Sequence, residues 1–125
     1  MILYPTLEET LVLHNRLIER FGGKPGVRDL GLLQSALARP QTGYYGSLSL
    51  QAAALLQSLA LNHAFIDGNK RVAFAQTAIF LLMNGQRLRV AADNGEGFLI
   101  HKVIEDKVDV QVIAEWLEEN CKSIR

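Results

Sequence analysis

The densest group of side chains able to do chemistry lies in one nine-residue stretch between two strongly apolar segments. That stretch reads His63-Ala64-Phe65-Ile66-Asp67-Gly68-Asn69-Lys70-Arg71. It brings together an imidazole, a carboxylate, a carboxamide and two cations, which are groups that proteins use for acid–base catalysis and for binding phosphate. The stretch is therefore the candidate functional site.

Each residue of the stretch also has an ordinary structural explanation. A carboxylate or an amide could cap the helix that follows, the glycine could be a turn residue, and the histidine could be a hydrogen-bonded core side chain. These explanations leave the two cations unexplained. Lys70 and Arg71 fall in the first turn of that helix, where the helix dipole is positive and each cation costs about 0.3–1 kcal/mol. A sequence that places cations where the helix dipole disfavours them usually does so at a functional site.

An anion is the natural compensation for those cations. Free backbone N–H groups, the helix dipole and two fixed cations together form a phosphate-binding cradle. Gly68 has no Cβ, so a ligand oxygen can approach the backbone there. Asp67 is the one carboxylate of the stretch and is expected to bind Mg²⁺. His63, expected at the end of the preceding helix, can accept the proton of an incoming hydroxyl.

The spacing of His63 and Asp67 also permits a different site, with both side chains as ligands of a transition metal. Such a metal needs at least one more protein ligand. No third ligand is apparent, because His14 and His101 are distant along the chain. Phe65 is expected to anchor the loop in the core.

The elements that must position this stretch are predicted to be helices. Thr6 followed three residues later by Glu9 is a capping-box pattern at the start of a first helix. The glycine pair at 22–23 supplies its end. A second helix is predicted from residue 29 to about residue 38, ended by Pro40.

Two apolar helices flank the candidate site. The first is predicted roughly over residues 50–65 with Ser49 as its cap, and the second over residues 69–84. Both are apolar nearly all round, which predicts a position in the middle of a bundle. Residues 41–48 are expected to form an exposed loop or a small flap, and residues 87–90 allow at most one short strand.

The rest of the chain adds further helices. Asp93 with Glu96 repeats the acidic capping pattern ahead of a helix that ends near Asp106, and Asp109 opens a last helix. No linker, repeat or domain boundary interrupts the pattern. Residues 1–125 are therefore predicted to form one all-α domain, a helical bundle with a short loop or β flap.

Composition excludes several classes of function. Thirteen Lys and Arg residues balance thirteen Asp and Glu residues, which argues against direct nucleic-acid binding. The lone Cys121 excludes an intramolecular disulfide framework. The longest apolar run, residues 78–83, is too short to span a bilayer, and the acidic first twenty residues do not resemble a signal peptide. A cytoplasmic protein is expected.

The stretch from His63 to Arg71 resembles the signature of the Fic/Doc family, in its Doc (death-on-curing) branch. Seven residue types are specified within nine positions, which makes the resemblance specific. It extends to residues 26–33 and 36–41 ahead of the stretch and to residues 80–85 beyond it, and is weakest after about residue 90.

The resemblance implies a Fic-type helical bundle and a toxin of a bacterial type II toxin–antitoxin system. Doc toxins transfer the γ-phosphate of ATP, with Mg²⁺, to a threonine of elongation factor Tu and so arrest translation. Carried over by position, the resemblance implies that His63 is the general base and that Asp67 is the magnesium ligand. It implies that Gly68 shapes the phosphate-binding cradle. It also implies phosphate contacts from Asn69, Lys70 and Arg71.

Most members of the wider family instead transfer the adenylyl group, and this activity is the alternative. Their signature has Gly where this chain has Lys70 and a second Arg where it has Phe74. A lysine adds volume and charge beside the cradle, so the nucleotide is expected to sit differently and present its terminal phosphate. A non-catalytic, partner-binding helical module is the second alternative.

The resemblance also bears on regulation. Family members that restrain themselves carry a Ser/Thr-x-x-x-Glu-Gly/Asn helix, a pattern that this sequence lacks. Restraint is then expected from a cognate antitoxin with a flexible C-terminal segment. The exposed pair Tyr44 and Tyr45 is a candidate docking point, although both could be ordinary loop residues.

Overall fold

Six α-helices account for most of residues 1–124, which are the residues that the computed structural model describes. They are α1 (Leu7–Phe21), α2 (Leu30–Ala38), α3 (Leu48–Leu61), α4 (Asn69–Met83), α5 (Ala92–Gly97) and α6 (Val110–Asn120). A 3₁₀ turn (Arg39–Gln41) follows α2, and a π-helical segment (Phe98–Glu105) continues α5. The predicted all-α class is confirmed.

The helix starts that the sequence marked locally are where it placed them. The Thr6 side chain accepts a hydrogen bond from the Glu9 N–H while the Glu9 carboxylate accepts one from the Thr6 N–H, so the capping box is complete. The helix ends just before Gly22. The Asp29 side chain caps α2 by accepting from the Leu32 N–H at 3.0 Å.

Helix α3 forms the centre of the fold, as its apolar sequence predicts. It packs against both α4 and α6, and residues 51–60 are buried with the single exception of Gln57. Helix α4 is less enclosed, since Ile79 and Leu82 are exposed on its outer face. Among residues 1–124, no helix combines the length and apolar character needed to cross a membrane.

The start and end of α3 differ from the prediction. Ser47, not Ser49, is the cap, and its side chain accepts from the Leu50 N–H at 3.2 Å. Ser49 instead donates to the Glu118 carboxylate of α6. The helix also ends at Leu61, earlier than predicted, which moves the residues that follow out of the helix. Residues 42–47 contain no strand, so of the two expectations for this region the loop is correct.

A second difference lies at the chain's C-terminal side. Strand β1 (Gln86–Leu88) pairs antiparallel with a second strand, β2 (Cys121–Ser123), where the sequence predicted one strand at most. Asp93 does not cap a helix, because α5 begins one residue before it and has no side-chain cap. Its carboxylate lies in the first turn, where it complements the helix dipole.

Candidate active site

The segment that joins α3 to α4 runs beside the segment that precedes α2. The Arg28 N–H donates to the Ala64 carbonyl oxygen at 2.7 Å, and the Ile66 N–H donates to the Gly26 carbonyl oxygen at 3.1 Å. Buried backbone groups of the joining segment therefore have partners outside the two helices. The segment is held as a fixed turn rather than as a free loop.

A cleft of about 780 Å³ opens over this turn. Its lining includes all six of the predicted site residues: His63, Asp67, Gly68, Asn69, Lys70 and Arg71. The structure thus brings together the proposed base, the proposed metal ligand and the proposed phosphate contacts on one surface.

His63 lies beyond the end of α3 and not on it, which corrects the expectation from sequence. Asn62 is the C-cap of that helix, and His63 follows with φ +52°. This is the position after a helix where a left-handed backbone is common and glycine is the usual residue. A non-glycine residue there carries strain, which is typical of functional sites. The side chain is exposed and faces the cleft.

The Asp67 carboxylate is oriented by backbone amides on both sides. Its Oδ2 atom accepts from the Lys24 N–H at 3.1 Å, and its Oδ1 atom accepts from the Gly68 N–H at 2.9 Å. The hydrogen bond from Lys24 is the main cause that lowers the pKa of Asp67, followed by that from Gly68, and the charges of Lys24 and Arg71 add to the effect. The group is therefore a fixed carboxylate anion at neutral pH.

The N-terminus of α4 faces the same cleft without a side-chain cap. Gly68 is its N-cap residue, with φ +75° and no side chain to satisfy the first N–H groups of the helix. Lys70 and Arg71 are both exposed in that first turn. The Arg71 guanidinium carbon lies 4.6 Å from the centre of the Phe21 ring, which holds this cation against the end of α1.

Asn69 has a structural role in addition to its place in the cleft. Its side-chain Oδ1 accepts from the Phe65 N–H, and its Nδ2 donates to the Phe65 carbonyl oxygen, both at 3.0 Å. The second N–H of this amide and the backbone N–H of Asn69 are the donors left for the predicted phosphate contact. Phe65 is buried, as predicted for an anchor.

The sequence analysis did not place His14 of α1 at the site. Its Nε2 atom lies 2.7 Å from the Asp67 carbonyl oxygen, and the ring is buried beneath the turn. One signal was present, since His14 occupies a position of the apolar stripe that runs through Leu11 and Ile18. A titratable residue in such a stripe points to a buried partner, but the sequence does not show which one.

The far wall of the cleft was also missed. It is formed by the π-helical segment with Leu99, Ile100 and Ile104, and by Phe74 of α4. Glu96, for which the sequence predicted a capping role, lines the cleft as well. The cleft therefore combines a cationic end at α4 with an apolar wall, and this pairing suits a ligand with a phosphate chain and an apolar, planar part.

The donor set fits magnesium better than a transition metal. Within residues 1–124 there is no group of three or more His, Cys, Asp or Glu side chains placed to hold a metal ion, so the alternative built on His63 and Asp67 lacks its third ligand. Mg²⁺ instead needs only one or two protein carboxylates when phosphate oxygens supply further ligands. Asp67, anionic and exposed in the cleft, meets that requirement.

Comparison with known proteins gives one family match and matches to two relatives of the same family. The model of the family described as "Fic/DOC family" matches residues 4–81. The chain is 56% identical over 78 residues to "Toxin Doc" of Mycolicibacterium smegmatis, which covers 58% of this chain and 58% of that protein. It is 37% identical over 82 residues to "Protein kinase doc" of Escherichia phage P1, and this match covers 62% of this chain and 65% of that protein. Each match spans less than two thirds of the relative's length.

Proposed function

The chain belongs to the Fic/DOC family, and on that basis we propose that it is a protein kinase toxin, which transfers the γ-phosphate of ATP to a threonine hydroxyl of elongation factor Tu. It would act in the bacterial cytoplasm as the toxin of a type II toxin–antitoxin system and arrest translation. The names of the two relatives, a Doc toxin and a Doc protein kinase, support this proposal.

One observation carries the proposal: an uncapped helix N-terminus, two cations, a fixed carboxylate anion and an imidazole line the same cleft. The first three are a binding site for a polyphosphate with its magnesium ion. The fourth, His63, is an exposed side chain in a strained backbone position beside them. A structural turn has no need of this combination, which speaks against a non-catalytic module.

The roles of the residues follow from their placement. ATP would supply the γ-phosphoryl group and leave as ADP, with Mg²⁺ neutralising part of the phosphate charge. Asp67 would hold the ion, while Lys70, Arg71 and the N–H groups of α4 bind phosphate oxygens. His63 takes the proton of the attacking threonine hydroxyl, which increases the nucleophilicity of its oxygen. The apolar wall of the cleft, which includes Leu99, receives the adenine base of ATP.

Lys70 favours phosphoryl transfer over adenylyl transfer. It is exposed at the cationic end of the cleft, so its ammonium group adds a positive charge where the terminal phosphates of a nucleotide would lie. The volume and charge of this side chain change how a nucleotide can lie in the cleft, so that the nucleotide presents its terminal phosphate to the attacking hydroxyl. The kinase is therefore the proposed activity, and adenylyl transfer is the outcome that would displace it.

The test is to incubate the protein with elongation factor Tu, Mg²⁺ and ATP labelled on either the α- or the γ-phosphate. We expect the factor to gain one phosphoryl group by intact-mass measurement, with label from the γ position alone. Label from the α position would replace the kinase by an adenylyltransferase. If neither label appears on the factor, the proposed substrate is wrong.

His63→Ala and Asp67→Asn are the matched controls for this experiment. Both side chains are exposed, so the variants are expected to fold, and both are expected to lose transfer. Expression of the wild-type chain is expected to stop growth, and His63→Ala is expected to relieve the arrest. Undiminished arrest by His63→Ala would favour a non-catalytic partner-binding module instead. Co-expression of an antitoxin encoded beside the toxin should also relieve it.

A further inference from the structure

His14 is a buried titratable residue for which the proposed mechanism has no use. Its side chain is 1% exposed, on the inner face of α1. The Nε2 atom lies 2.7 Å from the backbone carbonyl oxygen of Asp67. The ring is stacked on Phe65, with 3.8 Å between ring centres and 9° between ring planes.

The direction of this hydrogen bond is fixed by its acceptor. A carbonyl oxygen can only accept a hydrogen bond. The Nε2 atom of His14 therefore carries a hydrogen and donates a hydrogen bond to the backbone carbonyl oxygen of Asp67. The bond holds the peptide group that links Asp67 to Gly68, the N-cap residue of α4. A Cβ atom on Gly68 would lie 3.4 Å from the His14 Nε2 and 3.2 Å from the Ile18 Cδ1. The imidazole is thus packed directly beneath the turn.

Other contacts also fix the turn. The Asn69 side chain holds the backbone of Phe65, two residues before Asp67. The Gly68 N–H, which belongs to this same peptide, donates to the Asp67 side chain, and the Lys24 N–H donates to the other carboxylate oxygen, but neither bond involves the Asp67 carbonyl oxygen. The hydrogen bond from His14 holds the carbonyl side of this peptide from another helix, and it thereby supports the direction of the Asp67 carboxylate and of the α4 N-terminus.

We propose that His14 is a positioning residue for the magnesium–phosphate site, which acts by fixing the Asp67–Gly68 peptide from below. This inference rests on the proposed function, because it assumes that Asp67 binds Mg²⁺ together with a nucleotide. Partners that orient a metal ligand in this way typically change metal affinity by roughly 10- to 100-fold when they are removed.

Two amide substitutions separate positioning from packing. In His14→Gln the amide nitrogen reaches about as far as Nε2 and can still donate to the Asp67 carbonyl oxygen. In His14→Asn the same amide is one methylene shorter and falls short of it. His14→Phe is a third variant, which keeps a ring that can stack on Phe65 but has no donor.

Thr10→Val is the matched control for a purely structural loss. Thr10 lies one turn before His14 on the same buried face of α1 and is 0% exposed. Its Oγ1 atom accepts a hydrogen bond from Gln76 Nε2 of α4 at 2.7 Å. The substitution therefore breaks a buried contact between α1 and α4 and leaves the turn at Asp67 unchanged.

The experiment measures the Mg²⁺ concentration that gives half-maximal binding of a non-hydrolysable ATP analogue, followed by calorimetry on the full chain. Thermal unfolding first identifies the variants that are folded. We expect His14→Asn and His14→Phe to need roughly tenfold more Mg²⁺, and His14→Gln to remain near wild type. We expect Thr10→Val to lower the melting temperature and leave the Mg²⁺ requirement unchanged.

The outcomes distinguish this inference from the proposed function. If the wild-type chain shows no magnesium-dependent nucleotide binding, the proposed function fails and the role of His14 fails with it. If the wild type binds but His14→Phe or His14→Asn keeps the wild-type Mg²⁺ requirement, only the role of His14 is overturned. A requirement that rises equally in Thr10→Val would also overturn it, since loss of stability alone would then explain the effect.

Discussion

The Arg28 side chain donates a hydrogen bond of 2.6 Å from Nε to the backbone carbonyl oxygen of His63, 35 positions further along the chain. A second bond of 3.2 Å runs from Nη2 to the carbonyl oxygen of Asn62. Both carbonyls lie at the C-terminal end of α3, where a cation complements the helix dipole. Arg28 thus holds the backbone of the proposed base at the point where it leaves the helix.

This contact predicts that Arg28→Gln affects the chemical step more than nucleotide binding. The shorter amide cannot bind both carbonyls, so the His63 backbone loses this support, while the residues proposed to bind phosphate are unchanged. We expect kcat to fall by about 10- to 100-fold, because small misplacements of reacting groups have effects of this size, with little change in the KM for ATP. Steady-state kinetics test this, with Arg16→Gln on the exposed face of α1 as control. A raised KM with unchanged kcat would contradict it.

The backbone of His63 supports a second prediction, about stability. A left-handed conformation costs a non-glycine residue roughly 1–2 kcal/mol, and glycine loses roughly 0.5–1 kcal/mol to its greater freedom in the unfolded chain. We therefore expect His63→Gly to be more stable than His63→Ala by up to about 1 kcal/mol in urea unfolding, although neither variant transfers phosphate. Equal or lower stability of the glycine variant would show that the backbone at this position is not strained.

The parts of the fold that the sequence predicted well depend on local physics. The capping box at Thr6, the cap at Asp29 and the ends of α1 and α4 are determined by residues within one turn of each other. The charges at positions 70 and 71 also marked this turn as a candidate phosphate site, because the conflict between a cation and the helix dipole is itself local, and the phosphate site stays a prediction. The structure then brought all six candidate residues to one cleft.

The parts that were missed depend on contacts between distant segments. The second strand exists because residues 121–123 meet β1 after α6 has returned the chain to it. The end of α3 at Leu61 depends on Arg28, which binds the two carbonyls that follow it. The hydrogen bond of His14 is made to the carbonyl oxygen of Asp67, which lies 53 positions further along the chain. No local pattern encodes such pairings, so a single sequence leaves them open.

The lowered pKa of Asp67 predicts a specific dependence of stability on pH. Because hydrogen bonds from the Lys24 and Gly68 amides favour the charged form, the pKa in the folded protein lies below that in the unfolded chain. The contribution of Asp67 is then fully present above the ordinary value of 3.8 and is lost as the pH falls through the folded pKa. We expect the stability advantage of the wild type over Asp67→Asn to shrink as the pH falls below this ordinary value. An advantage that grows as the pH falls would contradict the sign.

Gly23 explains how the chain can approach the Asp67 carboxylate so closely, and Gly23→Ala tests whether that approach matters. A Cβ at this residue would lie only 2.8 Å from Asp67 Oδ2, the oxygen that accepts from the Lys24 N–H. The variant should break this hydrogen bond, raise the pKa of Asp67 toward its ordinary value in a carboxyl ¹³C titration, and weaken magnesium-dependent nucleotide binding. Gly43→Ala is the matched control, because Gly43 also has a positive φ but its added Cβ meets open space. Both variants carry backbone strain of about 1–2 kcal/mol, so both should lose stability while the Asp67 titration moves in the Gly23 variant alone. An equal shift in both variants would mean that general loosening of the fold, and not the close approach at Gly23, governs the carboxylate.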